Sequence, residues 1–117
     1  MKHLKRGRKL HRERDQRKAL IKSLTTNLIL QEKISTTLAK SKETQKKIER
    51  LITVAKKQNL SALRKLKEEL SPKAAEKLYY QIAPRYLDRK GGYTRIVKTS
   101  KRRINDGSPL VILEFVK

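Results

Sequence analysis

The sequence predicts an α/β (α+β) fold of two layers, with helices packed on a small mixed sheet that ends in a C-terminal hairpin. Three observations predict it. Apolar residues recur at helical spacing over most of residues 13–84, one short stretch near residue 34 switches to period-two alternation, and two strand-like runs joined by turn formers close the chain. The order is helix, strand, three helices, two strands. A length of 117 residues suits one core, so residues 13–117 are expected to form a single domain behind a basic arm, residues 1–12.

The arm carries Lys2, Lys5, Arg6, Arg8, Lys9 and Arg12, with His3 and His11, and no acid precedes Glu13. So few apolar groups cannot offset the entropy of ordering it, and the arm is expected to order on a partner. From Glu13 to Gln31, Leu20, Leu24 and Leu28 recur every four residues with Ile21 beside them, the apolar stripe of a helix. Arg14, Lys18 and Lys22 repeat at the same spacing on its opposite side, with Arg17 nearby.

In "KISTTL", Ile34, Thr36 and Leu38 alternate with Lys33, Ser35 and Thr37, a pattern that suits a half-buried strand. Ala39 to Gln58 returns to helical spacing, with Ile48, Leu51, Ile52 and Ala55 inward and Lys42, Lys46 and Arg50 on the far side. Leu60, Leu63, Leu66 and Leu70 mark a third helix. "SPKAAEKLYYQIAP" makes a fourth, with Ser71 as N-cap, Pro72 at the first helical position and Pro84 as the stop; its buried stripe is expected at Ala75, Leu78, Tyr79 and Ile82.

After Gly91 and Gly92, "YTRIVKTSKRR" and "PLVILEFV" read as two antiparallel strands joined through "INDGS", whose Asn, Asp and Gly form turns readily. The last run is almost continuously apolar, as expected of a strand that is central in a small sheet or covered on both faces.

Charge then bounds the function. Thirty-two Lys and Arg against eleven Asp and Glu give a net charge of +21 and a pI near 10.6. A polyanion is the natural partner of such a chain. A membrane surface fits poorly, because there is no Trp and a single Phe to anchor an amphipathic helix. Leu60 to Tyr79 holds five basic residues against three acids, whereas Arg85 to Arg103 holds eight against one. The second window and the arm are therefore the expected phosphate-binding surface. The arginines of the arm and first helix, together with Arg85, Arg89, Arg95, Arg102 and Arg103, are expected to make the tightest contacts. Lys90, Lys98 and Lys101 add point charges. Tyr86 and Tyr93 flank the glycines, where they either stack on unpaired bases or pack in the core. Gly91 and Gly92 serve the turn into the sheet and let a backbone approach a phosphate.

Other chemistry is missing. There are no cysteines for disulfides or thiolate ligands. "KGGYTRI" has neither the spacing of a nucleotide-binding phosphate loop nor a helix after it. His3 and His11 lie in the arm, and the carboxylates are dispersed among lysines, so no metal, no cofactor, no small-molecule substrate and no catalysis are expected. No stretch reads as a signal peptide or a membrane span, which gives a cytosolic expectation. A DNA-binding nucleoid or regulatory protein is the competing class; it needs a recognition helix and usually dimer symmetry, and neither pattern is evident.

The chain resembles the family of the seventeenth protein of the bacterial large ribosomal subunit. The resemblance is carried by "GRKL" with Arg17, Ala19 and Leu20, "TTLAKSKE" from Thr36, "LITVAKK" from Leu51, "PRY..R.GGYTRI" from Pro84 to Ile96, and Arg102, Arg103, Pro109 and Glu114 near the end. Gln16, Gln31 and the turn "RRINDGSP" depart from the family pattern. The resemblance implies a structural constituent that binds 23S ribosomal RNA near the polypeptide exit tunnel and touches neighbouring ribosomal proteins. The RNA contacts are then expected from arm residues Lys2, His3, Lys5, Arg6, Arg8, Lys9 and Arg12. Helix positions Arg14, Arg17, Lys18, Lys22, Lys42 and Lys46 are expected to add to them, as is the stretch from Arg85 to Arg103, Tyr93 included.

Overall fold

The computed structural model describes residues 8–117. Of the expected site, Lys2, His3, Lys5 and Arg6 lie outside those residues. The element order is helix α1 (Arg14–Gln31), strand β1 (Lys33–Thr37), helices α2 (Leu38–Ala55), α3 (Leu60–Glu69) and α4 (Pro72–Lys77), then strands β2 (Thr94–Arg102) and β3 (Pro109–Phe115).

The sheet order is β1-β3-β2, and both pairings are antiparallel. The sheet is therefore not mixed as expected. β3 is the central strand, and β1 and β2, which run parallel to each other, never meet. Its apolar run needs cover on one face only. Val111, Leu113 and Phe115 are buried, while Leu110, Ile112 and Glu114 between them are half-buried on the outer face.

Helix α2 lies on the inner face of the sheet. Ile48, Leu51, Ile52 and Ala55 are buried as their spacing predicts, and Ser41 and Thr44 join them. These two hydroxyls enter the core because each bonds back to its own helix, Ser41 to Leu38 O at 2.7 Å and Thr44 to Lys40 O at 2.8 Å. In α1 the apolar stripe engages the core only at its C-terminal end. Thr25, Leu28 and Ile29 are buried, whereas Leu20, Ile21 and Leu24 are half-buried, so the first half of α1 stands out from the core.

Asn59 caps α3 by accepting from Ala62 N at 2.7 Å, and Ser71 caps α4 as expected, accepting from Ala74 N at 3.4 Å. α4 widens into a π-helical turn over Leu78–Ile82 and tightens into a 3-10 turn over Ala83–Tyr86. Pro84 thus does not stop the chain at once. It has no N–H for the carbonyl one turn back, so the helix widens ahead of it, and it sits near the start of the new turn, where the missing donor is no loss. Leu78, Ile82, Ala83 and Tyr86 enter the core from this segment, while Tyr79 is half-buried. One apolar cluster joins α1, α2, α3, α4 and the sheet.

Candidate nucleic-acid interface

The cationic faces predicted for α1 and α2 are exposed. Arg14, Lys18 and Lys22 on α1 and Lys42, Lys46 and Arg50 on α2 all face water, with Arg17 half-buried. Between the helices lies a cleft of about 950 Å³, lined by Arg8, Arg17, Lys18, Lys22, Lys46, Lys47 and Arg50 over Ile21, with Glu43, Glu68 and Glu69 among them. It exists because the first half of α1 stands off from the core. Glu43 draws in the end of the arm, with Arg8 Nη1 at 3.1 Å and Lys46 Nζ at 3.5 Å, and Glu69 holds Lys47 at 2.6 Å. Lys18, Lys22 and Arg50 make no ion pair among the described residues. Lys47 was absent from the expected site; it stands beside Lys46, and only its contact across to α3 turns it into the cleft.

The basic window from Arg85 to Arg103 does not form one patch. β2 runs through it for nine residues, which at ~3.3 Å each separates the glycine loop from the hairpin tip by roughly 25–30 Å. Folding also brings carboxylates from elsewhere. Glu32, at the end of α1, pairs with Arg85 and holds Lys77 at 3.6 Å, and Glu114 of β3 holds Arg95 at 2.7 Å. A second cleft of about 950 Å³ beside the glycine loop is lined by Lys33, Arg85, Arg89 and Lys117 but also by Glu32, Asp88 and Glu114. The charged lining of this cleft is thus mixed in sign. The Arg85 guanidinium bonded to Glu32 holds its carboxyl below the usual carboxylate range, against a smaller opposing effect of burial.

Tyr93 is 2 % exposed and Tyr86 3 % exposed, with ring centroids 5.3 Å apart. Of the two roles the sequence leaves open to them, the structure gives them packing in the core, with both rings covered. Tyr86 Oη donates to Val116 O, and burial pushes its phenol above the usual range. Tyr93 Oη accepts from Lys56 Nζ at 2.9 Å, and the same ammonium bonds Arg89 O and lies 4.9 Å from the Tyr93 ring centroid. Lys56 thus ties the start of the glycine loop to its end. Nothing in "LITVAKK" distinguishes it from a solvated lysine.

Within the loop, Arg89 Nε donates to Gly91 O at 3.1 Å. Gly92 adopts φ +63°, the left-handed region that favours glycine; Gly91 does not, and a Cβ on it would meet open space. Lys90 is exposed beside them. In the hairpin, Lys98, Lys101, Arg102 and Arg103 are all exposed. Arg102 Nη1 donates to Gly107 O at 2.9 Å, and Arg103 Nε lies 3.2 Å from Asp106. Lys9 is exposed and Arg12 half-buried, its Nη1 donating to Leu10 O at 2.8 Å. Among the described residues no group of His, Cys, Asp or Glu is placed to hold a metal ion, and no helix is long and apolar enough to cross a membrane.

Residues 20–116 match the family described as ribosomal protein L17. The chain belongs to the ribosomal protein L17 family. It is 43 % identical over its whole length to the full large ribosomal subunit protein bL17 of Thermus thermophilus. It is 44 % identical to that of Acholeplasma laidlawii, over 92 % of this chain and 96 % of the relative. With that of Pediococcus pentosaceus the identity is 46 %, over 93 % and 97 %. In this L17-family chain Lys18 and Lys22 of α1, Lys42 and Arg50 of α2, and Lys98 and Lys101 of the hairpin are exposed cations outside the ion pairs of the described residues, as is Lys90 in the glycine loop, whose two ends Lys56 ties together.

Two outcomes follow for the loop end. Gly92→Ala costs about 1 kcal/mol in urea denaturation, because φ is positive there, while Gly91→Ala stays within about 0.5 kcal/mol. Glu32 has a lowered carboxyl pKa in the folded state, so its stabilisation is present above the ordinary carboxylate range and is lost as pH falls through the lowered value. Glu32 is 40 % exposed, so water screens the pair to below about 1 kcal/mol. Thermal denaturation is expected to find Glu32→Gln less stable than the parent chain near pH 7, the gap closing as the pH falls through the lowered carboxyl range and Glu32 is protonated in the folded chain.

Proposed function

We propose that this chain is a structural constituent of the bacterial large ribosomal subunit that binds 23S ribosomal RNA through its phosphates, near the polypeptide exit tunnel and in contact with neighbouring ribosomal proteins. The observation that carries the reading is the full-length likeness to proteins named for the large subunit, in a chain whose unpaired cations occupy exposed faces. The position by the tunnel and the identity of the RNA rest on the family resemblance.

The mechanism is electrostatic clamping. Lys18, Lys22, Lys42 and Arg50 on the paired helices and Lys98, Lys101 and Arg102 on the hairpin meet separate stretches of backbone and displace their condensed counterions. Because the two groups lie on different parts of a rigid body, each fixes the RNA segment it touches relative to the other. Recognition is by backbone and shape, since a folded RNA helix hides its base edges in a deep groove. The arm joins the helix group through Arg8, which Glu43 holds beside α2. Arg85 and Arg95 contribute less than their sequence window implies, because Glu32 and Glu114 compete for them.

The test is incorporation into large subunits, followed by sucrose-gradient sedimentation at moderate salt. The parent chain is expected to co-migrate with large subunits. Replacing Lys18, Lys22 and Arg50 together by Ala lowers that fraction about tenfold, whereas Arg95→Ala lowers it less than about twofold. A free or nucleoid-bound pool of the parent chain contradicts the assignment, and equal losses for the two variants contradict the mechanism.

A further inference from the structure

The turn between β2 and β3 presents one side chain in an unusual way. Ile104 is 99 % exposed, more than any other large apolar residue among those described. The turn that carries it is internally braced. Arg103 N–H donates to Ser108 O at 2.9 Å, Gly107 N–H to Arg103 O at 3.0 Å, and Ser108 N–H to Asp106 Oδ1 at 3.1 Å. The Arg102 and Arg103 side chains add bonds to Gly107 O and Asp106 across the same turn. Asn105, Asp106 and Gly107 are turn formers, and Gly107 adopts φ +68°. Ile104 is the exception among them: a β-branched residue gains nothing from a turn and here contributes no burial to the fold.

A stiff apolar side chain on a braced tip loses little freedom when it is inserted somewhere. The surroundings narrow what receives it. Lys101, Arg102 and Arg103 precede it directly, Lys98 lies farther down the strand, and Asp106 is the one carboxylate of the tip. A single apolar point among cations is too small for a hydrophobic protein patch, which covers hundreds of Å². It is also too isolated for a membrane anchor. It does have the composition of an intercalating wedge, in which an aliphatic side chain enters between bases while flanking cations hold the adjacent phosphates.

We propose that Ile104 is an apolar wedge that the β2–β3 hairpin places between two bases of a structured RNA, with Lys101 and Arg102 on the phosphates beside that step. The proposal rests on the RNA-binding reading above and assigns to this turn the contact with bases that the rest of the surface does not make. It also gives the hairpin a role distinct from that of the α1–α2 face: the helices grip the backbone, and the tip marks one position along it.

The test uses the full chain, protein-free 23S ribosomal RNA, and dimethyl sulfate reactivity of the bases with affinity measured in parallel. The parent chain is expected to change the reactivity of a few adjacent nucleotides. Ile104→Ala removes that local change and weakens binding roughly fivefold to tenfold with the salt dependence unaltered, because no charge is lost. Ile104→Val retains most of both. Lys101→Ala with Arg102→Ala instead makes the salt dependence shallower. Ile104 is fully exposed, so thermal denaturation of Ile104→Ala should match the parent chain. Parent-like affinity and reactivity for Ile104→Ala overturn the wedge. Loss of the variant from assembled subunits with RNA binding intact also overturns it, in favour of a socket on a neighbouring protein. Failure of the parent chain itself to bind the RNA overturns the broader reading along with it.

Discussion

Helix α2 buries Ile48, Ile52 and Ala55 among the sheet and the other helices, while Lys42, Lys46 and Arg50 on its other side stay in water. The two faces have opposite requirements, and the 3.6-residue period is what keeps them apart. Most of the molecule depends on that separation. The inner face of the sheet, the C-terminal end of α1, α3 and the widened end of α4 all pack toward the dry side of α2. The wet side is left to form one wall of the basic cleft.

A net charge of +21 on a body of this size opposes its own compaction, and several of the eleven carboxylates join separate elements through ion pairs. Glu32 joins the end of α1 to the segment after α4, Glu114 joins two strands, Glu43 holds Arg8, Glu69 ties α2 to α3, and Asp106 braces the hairpin tip. Such exposed pairs are individually weak. Their placement matters more than their strength, because each one also decides which cations are occupied and which remain for an external anion. Among those that remain are Lys18 and Lys22 of α1, Lys42 and Arg50 of α2, and Lys98 and Lys101 of the hairpin.

Much of this fold was legible in the sequence because its signals are local. Leu spacing in α3, Ser71 and Pro72 at the start of α4, alternation in β1 and the turn formers before β3 each act within a few residues, and each marked its element. What was not legible depends on partners far along the chain. Thr25, Ser41 and Thr44 look polar, yet they bond to their own helices and so enter the core. Tyr93 looks available beside two glycines, yet Tyr86 and Lys56 close over it. Pro84 reads as a stop, yet a wider turn ahead of it lets the helical path continue. The candidate interface followed the same rule. Helical spacing placed Lys18, Lys22, Lys42 and Arg50 on exposed faces correctly, whereas counting charge along residues 85–103 missed Glu32 and Glu114 and the length of β2 that divides the window.

The central claim is that an L17-family chain of this kind holds RNA mainly by neutralising several phosphates at once from separate parts of a rigid body. The salt dependence of its association with protein-free 23S ribosomal RNA tests this most directly. Measured between about 50 and 300 mM monovalent salt, the logarithm of the association constant is expected to fall linearly with the logarithm of salt concentration, with a slope of about −5 or steeper. A slope between zero and about −1 contradicts the account, since it leaves room for no more than one phosphate contact.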